Sequence, residues 1–165
     1  MKALVVYYSR TGTTKKVATE IAAALDADVE ELREKADRSG KVGYMMAGRD
    51  AMRKTPAELL PLQHDPSDYD LVAIGGPCWA FTMCTPSRTY TVEHKDALKK
   101  TAFFATAASA NFAQKAVDAL IEATSLTPVA TLALSEKDAP GDISTAIAEF
   151  VSMIRSGQET EGRHG

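Results

Sequence analysis

Hydrophobic runs alternate with amphipathic segments along the chain, and this alternation predicts the order of its strands and helices. The run at residues 4–8 is unbroken, as in a strand buried on both faces of a parallel sheet, and runs at residues 69–74, 101–105 and 128–134 predict three further strands. A weaker, acidic run at 27–32 is typical of an edge strand. Between the runs, hydrophobic residues recur at helical spacing in residues 15–25, 111–121 and 142–154. Residues 85–94 are also predicted to form a helix, because Pro86 suits a first-turn position. Five strands that alternate with helices predict a doubly wound α/β domain with three layers.

Two segments do not follow this alternation. Residues 44–52 predict a short helix, although the glycines around them weaken the pattern. We expect a solvated helix that packs over the sheet edge; the alternative is a partly basic flap beside the active site. Residues 156–165 are polar and without periodicity, so we expect a disordered tail after a single domain of residues 1–155.

Composition limits the classes of function. The 165 residues include 45% hydrophobic and 25% charged residues and carry a net charge of −3, which argues against a nucleic-acid partner. No hydrophobic run is long enough to span a bilayer, and the chain starts directly in a core strand, so we expect a cytoplasmic protein with no membrane partner. The histidines have no partners at metal-ligand spacing and the two cysteines do not form a zinc motif, so no metal site is predicted.

The turn after the first strand predicts a phosphate site. Residues 9–14 carry four hydroxyl side chains and one glycine, and a helix follows at once. The first N–H groups of that helix lack intrahelical acceptors, and the helix dipole adds partial positive charge there. The turn lacks the Gly-Lys-Ser/Thr ending of a nucleoside triphosphate loop and the three spaced glycines of a dinucleotide loop. It therefore suits a single terminal phosphate.

Two further loops follow buried strands at the same predicted sheet edge. The loop after the third strand carries Trp79, whose ring offers a face for stacking a flat heteroaromatic group. The loop after the fourth strand, residues 106–110, has small side chains that let backbone amides approach a ring. A phosphate at one end and a planar ring at the other describe a mononucleotide.

These motifs resemble those of a known family. Residues 8–14 look like the flavodoxin phosphate signature, a serine or threonine followed by x-T-G-x-T, and residues 75–79 resemble that family's G-x-P-T-W loop. The resemblance covers residues 1–155 and implies a flavodoxin-like fold, a sheet order of 2-1-3-4-5 and FMN as cofactor. It also implies that the flavin carries the chemistry, with no catalytic side chain. The cofactor-binding residues that it implies are Ser9, Arg10, Thr11, Gly12, Thr13, Thr14, Pro77, Cys78, Trp79, Ala80, Thr106, Ala107, Ala108 and Ser109.

The sequence departs from the family pattern in three ways. The chain is less acidic than the flavodoxins that carry single electrons, and its third loop lacks an aromatic residue. Ala80 follows the tryptophan where the family commonly has glycine, and a non-glycine residue resists positive φ at a cost of about 1 kcal/mol. We therefore expect weak stabilisation of a one-electron-reduced flavin and some preference for two-electron reduction.

Three functions remain open at this point. The chain is an FMN-dependent electron carrier that docks on a redox partner protein, or an NAD(P)H-dependent reductase of quinones or similar acceptors. The third alternative, from a different class, is a non-redox binding module of the same fold. The sequence does not predict the oligomeric state.

Overall fold

The chain forms one parallel sheet with helices on both faces. The structure is a computed structural model that describes the backbone of residues 1–162 and the side chains of residues 1–157. Its strands are β1 (Ala3–Tyr7), β2 (Asp28–Glu31), β3 (Leu71–Trp79), β4 (Thr82–Met83), β5 (Lys100–Ala107) and β6 (Ala130–Ser135). Its α-helices are α1 (Thr13–Leu25), α2 (Gly40–Arg53), α3 (Thr85–His94), α4 (Ala110–Thr124) and α5 (Ser144–Gly162).

The sheet has the order β2-β1-β3-β5-β6, and all of these neighbours are parallel. This confirms the predicted flavodoxin-like order, since the additional strand β4 is a two-residue piece that pairs antiparallel with β3. At the carboxyl edge, Tyr7 pairs with Gly75, and Pro77 pairs with Thr106. The loops that follow β1, β3 and β5 therefore meet at one edge, where ligands of doubly wound sheets bind.

The sheet separates two hydrophobic clusters. One face packs against α1 and α5, and the apolar stripe of the predicted segment 142–154 is buried there: Ile143 just before α5, and Ile147, Phe150, Val151 and Ile154 within it. The other face packs against α2, α3 and α4, with the wholly buried rings of Tyr90 and Phe103 in that cluster. The three-layer architecture is as predicted.

Helix α2 is longer than the predicted segment 44–52 and lies over the sheet with Gly43, Ala47 and Ala51 buried. At Gly43, a Cβ atom would overlap the backbone of Arg38, so only glycine lets the two segments approach this closely. The segment therefore forms a helix packed against the sheet, as the first interpretation expects, and its Tyr44 reaches the carboxyl edge of the sheet, as the second expects. Its outward side remains highly exposed, with Met45 at 72% and Met52 at 74%.

The end of the chain differs from the predicted disordered tail. Helix α5 continues through residues 156–162, and Arg155 donates a hydrogen bond from Nη2 to the Ala24 carbonyl at 3.2 Å. Extending a formed helix adds one backbone hydrogen bond per residue fixed, so a helix held by its buried stripe can continue into a polar segment. Residues 163–165 lie outside the described part, and the domain boundary at 155 stays a prediction. Within residues 1–162, no helix combines the length and apolar character needed to cross a bilayer.

Candidate functional site

A pocket of about 400 Å³ lies at the carboxyl edge of the sheet, between the loops that follow β1, β3 and β5. Ten of the residues predicted to bind the cofactor line it: Arg10, Thr11, Thr13, Thr14, Pro77, Cys78, Trp79, Ala80, Ala107 and Ala108. The other four, Ser9, Gly12, Thr106 and Ser109, do not line it. The convergence of the three loops is therefore as expected.

The first loop presents the N-terminus of α1 to the pocket. Gly12 adopts φ 101° at the N-cap, and no side chain among the described residues caps this end. The first intrahelical bond runs from Lys16 N–H to the Gly12 carbonyl, so the N–H groups of residues 13–15 have no intrahelical acceptor. The first turn contains no acidic residue that would compete with an anion. This end of α1 therefore keeps the properties of an anion site.

Ser9 and Thr14 shape the loop through their hydroxyl groups. Ser9 Oγ accepts a hydrogen bond from Gly12 N–H at 3.0 Å and so holds the turn closed. Thr14 Oγ1 lies 2.9 Å from Thr106 Oγ1, and both residues are buried. This bond joins the first loop to the end of β5, 92 residues away in sequence. Thr106 is wholly buried and positions Thr14, and its direct contact with the cofactor stays a prediction.

The second loop is a two-residue hairpin that connects β3 to β4. Trp79 pairs with Thr82, and between them Ala80 and Phe81 have φ values of 49° and 64°. Positive φ at both central residues is the mark of a type I′ turn, for which Asn-Gly is the usual sequence. The expectation that Ala80 avoids positive φ is wrong: pairing between β3 and β4 holds it there. The prediction of a weakly stabilised one-electron-reduced flavin loses this support.

Trp79 lines the pocket, but only 6% of the residue is exposed. Tyr8 packs edge-to-face against its ring at 5.4 Å between centroids, and Arg38 Cζ lies 5.5 Å from the centroid. Large aromatic rings gain stability from such burial and from a neighbouring guanidinium. In this conformation the indole therefore offers a ligand much less ring surface than the sequence suggests.

Arg38 is held above Trp79 by the buried carboxylate of Glu34 and the partly buried carboxylate of Asp50. Its Nε lies 2.7 Å from Glu34 Oε1, and its Nη1 lies 2.6 Å from Asp50 Oδ2. Hydrogen bonding to Glu34 raises the pKa of Arg38 against the effect of desolvation, so the guanidinium stays charged. Burial alone would raise the pKa of Asp50, but hydrogen bonds and positive charge from Arg38 outweigh it and lower that pKa. The cluster fixes α2 beside the pocket.

The exposed rings at the pocket are ones that sequence reasoning missed. Tyr44, Phe81 and Phe112 line it with exposed fractions of 65%, 61% and 39%. Phe81 and Phe112 meet edge-to-face at 5.3 Å, and Lys115 Nζ lies 5.3 Å from the Phe81 ring centroid. Phe112 belongs to the predicted helical segment 111–121, but in the first turn of α4 it is Ala113 that is buried, whereas Phe112 lines the pocket.

Ser109 has a structural role in the third loop. Its Oγ accepts a hydrogen bond from Phe112 N–H at 3.3 Å and caps α4. Only Ala107 and Ala108 of this loop line the pocket, and Glu136 adds the one carboxylate among the lining residues. The small size of Ser109 suits a loop that approaches a ring, and its hydroxyl caps α4.

Comparison with known proteins identifies the family. The family model described as Flavodoxin matches residues 2–127 of the chain. The chain belongs to the flavodoxin family. A comparison with curated protein sequences finds no match.

Solved structures show what this flavodoxin-family chain is similar to. A Lactobacillus acidophilus flavoprotein in complex with FMN is 27% identical, with a TM-score of 0.69; the match covers 84% of this chain and 96% of that one. A Bacteroides uniformis flavoprotein, 21% identical with a TM-score of 0.63, covers 89% and 96% in the same order. A WrbA-like flavodoxin from Agrobacterium tumefaciens, 16% identical with a TM-score of 0.54, covers 96% and 99%. The last two show the fold alone. The predicted cofactor, FMN, is the ligand of the first.

The pocket of this flavodoxin-family chain fits the two ends of FMN. The uncapped α1 terminus and the hydroxyls of Thr11 and Thr13 offer donors to a phosphate, while Tyr44, Phe81 and Phe112 offer rings to a flat heterocycle. A volume of about 400 Å³ lies within the usual range of small-molecule sites. The donor set and the aromatic set lie in one pocket, as a mononucleotide requires.

Cys78 lines the flavodoxin pocket and is half-buried, while Cys84 is fully buried; both are free thiols. Burial raises the pKa of Cys78 and raises that of Cys84 to about 12. Both side chains are therefore protonated at neutral pH, and the thiolate that reacts is scarce. The structure favours a packed cysteine at position 78 over a reactive one.

Proposed function

We propose that this protein binds FMN in the pocket at the carboxyl edge and transfers electrons through it. The observation that carries the proposal is the pairing of an uncapped helix N-terminus with exposed aromatic rings in one pocket, in a member of the flavodoxin family. When bound, FMN supplies one- and two-electron redox chemistry. The chain's own residues hold the phosphate, cover the ring and leave one side open to a partner. We place this activity in the cytoplasm.

Each loop has its own task in this proposal. Thr11, Thr13 and the free N–H groups of the first α1 turn bind the phosphate, and Ser9 keeps that turn closed. Arg10 does not reach for the phosphate: its Nε donates to the Arg38 carbonyl at 2.9 Å and its Nη2 to the Gly40 carbonyl at 3.0 Å. It ties α2 to the phosphate loop and adds positive charge nearby. Phe81 and Phe112 pack against the ring.

A titration of the apoprotein with FMN and with riboflavin tests the site. Losing the phosphate removes at least two charge-assisted hydrogen bonds of about 1.5 kcal/mol each, so riboflavin binds roughly 100-fold more weakly. Thr13→Ala weakens FMN binding, whereas Thr19→Ala, further along α1 with its hydroxyl bonded to the Lys15 carbonyl, leaves it unchanged. Flavin fluorescence reports both affinities. Protein that takes up no flavin favours the non-redox binding module, and equal affinities would contradict the phosphate site.

A second candidate is an NAD(P)H-dependent reductase of quinones or similar acceptors. The exposure of Tyr44 and Phe81 supports it, since two uncovered rings leave room for a second planar molecule beside FMN. Stopped-flow mixing of the FMN-loaded protein with NADPH separates the two functions. Rapid bleaching of the flavin followed by turnover with a quinone supports the reductase. Absence of bleaching, with fast electron exchange with a redox protein, supports the carrier.

A further inference from the structure

The outward side of α2 is both hydrophobic and basic. Five large hydrophobic side chains are exposed on this one helix: Val42, Tyr44, Met45, Met46 and Met52. The exposed charged residues on and just after it are all basic: Lys41, Arg49, Arg53 and Lys54. The helix's one acidic residue, Asp50, is 14% exposed at its side chain and paired with Arg38 and, at 3.4 Å, with Arg49. We call these nine exposed residues the α2 face.

This surface belongs to an anchored helix. The Arg38 cluster and the buried residues Gly43, Ala47 and Ala51 fix the inner side of α2. Val42, Met45, Arg49 and Met52 are spaced by three or four residues, so they lie along one stripe of the outer side. Hydrophobic groups that are exposed together on a fixed element are typical of interaction sites.

The α2 face adjoins the cofactor pocket. Tyr44 belongs to the face and also lines the pocket. Arg10 ties the start of the helix to the phosphate loop through the Arg38 and Gly40 carbonyls, and its Cζ lies 5.5 Å from the Tyr44 ring centroid. A protein seated on this face therefore lies next to the open side of the pocket.

The charge on this part of the chain is opposite to that of the rest. Residues 31–54 contain seven basic and four acidic residues, a net charge of +3, in a chain of −3, so the other residues together carry −6. Three of the acidic residues, Glu31, Glu34 and Asp50, are paired with arginines within the segment. The potential that a partner meets at the α2 face is therefore positive, although the whole protein is acidic.

We propose that the α2 face docks an acidic electron-transfer protein and brings its redox centre to the FMN pocket. The inference rests on the proposed FMN-dependent function. Carboxylates on the partner steer the encounter towards Lys41, Arg49, Arg53 and Lys54, and an apolar patch at its centre covers the methionines. A second copy of this chain in a symmetric contact would set basic side chains against each other, which disfavours that occupant.

Stopped-flow electron transfer tests the proposal, with an acidic plant-type ferredoxin as the probe. Each reduced 2Fe–2S cluster gives up one electron, and the FMN of the loaded protein gains it. The second-order rate constant falls at least about tenfold when ionic strength rises from about 0.01 M to about 1 M, since the Debye length then shrinks from about 30 Å to about 3 Å. With lysine-rich cytochrome c, which takes one electron from the reduced protein, the rate constant does not fall.

Two charge-matched variants locate the surface. Lys41→Glu with Arg53→Glu lowers the rate constant with ferredoxin at low salt about tenfold or more. Lys95→Glu with Lys99→Glu makes the same change in net charge at exposed positions before β5, on the edge opposite the pocket, and lowers it by less than about threefold. Met45→Ser with Met52→Ser slows transfer but leaves the salt dependence unchanged. All three variants keep the parent's affinity for FMN.

Several results would overturn the proposal. Equal effects of the two charge variants mean that net charge, and not the α2 face, steers the reaction. Faster transfer to cytochrome c that slows with salt assigns the docking site to an acidic surface. If the protein dimerises and Met45→Ser with Met52→Ser abolishes the dimer, the α2 face binds a second copy. If the protein binds anionic lipid vesicles and the same variant abolishes that binding, the α2 face binds a membrane.

Failure of the FMN proposal is recognised separately. A chain that binds no FMN overturns the proposed function before any electron transfer is measured. Calorimetry with oxidised ferredoxin and the unloaded protein then tests docking alone. If ferredoxin binds and the Lys41→Glu with Arg53→Glu variant binds it more weakly, the α2 face remains a docking surface. If ferredoxin does not bind, the docking proposal is overturned as well.

Discussion

Two consecutive residues beside the pocket, Ala80 and Phe81, hold the left-handed backbone conformation. Each costs about 1–2 kcal/mol relative to glycine, which has no Cβ to clash with the following carbonyl oxygen. Pairing of Cys78 with Met83 and of Trp79 with Thr82 offsets this cost. In exchange, the turn places the Phe81 ring against Phe112 at the pocket rim. Strain of this kind concentrates at functional sites.

Ala80→Gly tests the strain in the apoprotein. Relief of the left-handed conformation outweighs the greater freedom of glycine in the unfolded chain, so the free energy of unfolding rises by up to about 1 kcal/mol. Ala108→Gly is the control, because Ala108 lines the same pocket without positive φ, and it loses about 0.5–1 kcal/mol. Urea denaturation measures both. Equal losses in the two variants would show that Ala80 carries no strain.

At the scale of the element, α2 is the part that brings new residues to the site. The residues on its buried side have small side chains, so the helix lies close to the segment that carries Arg38. The residues on its outer side are exposed. The two glycines of α2 that lie beyond its first residue differ in their surroundings. A Cβ at Gly43 would overlap the Arg38 backbone, whereas a Cβ at Gly48 would meet nothing within 4 Å.

These two glycines provide a matched pair of substitutions. Gly43→Ala pushes α2 away from Arg38 and lowers the free energy of unfolding by about 1–3 kcal/mol, as overpacking does. Gly48→Ala improves helix propensity without a clash and raises it by about 0.5–1 kcal/mol. Thermal unfolding ranks the two variants against the parent. If both substitutions stabilise the protein, α2 is not held against Arg38 by close contact.

The elements with the clearest hydrophobic pattern were predictable from sequence. The strands agree with the prediction within a few residues apart from β3, because burial on both faces leaves runs rich in apolar residues. Helix α3 occupies the predicted residues 85–94, where Pro86 marks the first turn. Strand β3 continues through Gly75, Gly76 and Pro77, a sequence typical of a turn, since pairing with β1 and β5 outweighs local preference.

The candidate site was predictable in its loops but not in its aromatic rings. The hydroxyl-rich turn has a local signature, so its placement followed from sequence. Tyr44 lies among glycines that obscure the helical period, and Phe112 has the spacing of a core residue although its helix turn projects past the sheet. Whether a ring faces the pocket depends on where its helix begins relative to the edge of the sheet. The local sequence pattern does not predict that position.

At the scale of the whole molecule, the sheet order decides that the three loops share one pocket. Strands β1 and β5 both pair with β3, so their carboxyl ends flank it. The buried hydroxyl pair of Thr14 and Thr106 then links the start of α1 to the end of β5. This link sets the distance between the phosphate loop and the third loop. Cofactor binding and stability therefore depend on the same bond.

A double-mutant cycle measures this coupling. Thr14→Val and Thr106→Val each leave a buried hydroxyl without its partner and lower the free energy of unfolding by about 1–3 kcal/mol. The double variant removes both groups, so it loses less than the sum of the two, by about 1 kcal/mol. Both single variants also weaken FMN binding, because the first loop is no longer held at its distance from the third.

Thr91→Val is the control for this cycle, because Thr91 is equally buried and its hydroxyl donates to the Ser87 carbonyl within α3. Its effect adds to that of Thr106→Val within about 0.5 kcal/mol, and its FMN affinity is unchanged. Additive losses for Thr14 and Thr106 would mean that the two hydroxyls act independently. In that case the backbone pairing of β1, β3 and β5 alone would position the loops. The FMN affinities of the variants would then not change in parallel with their free energies of unfolding.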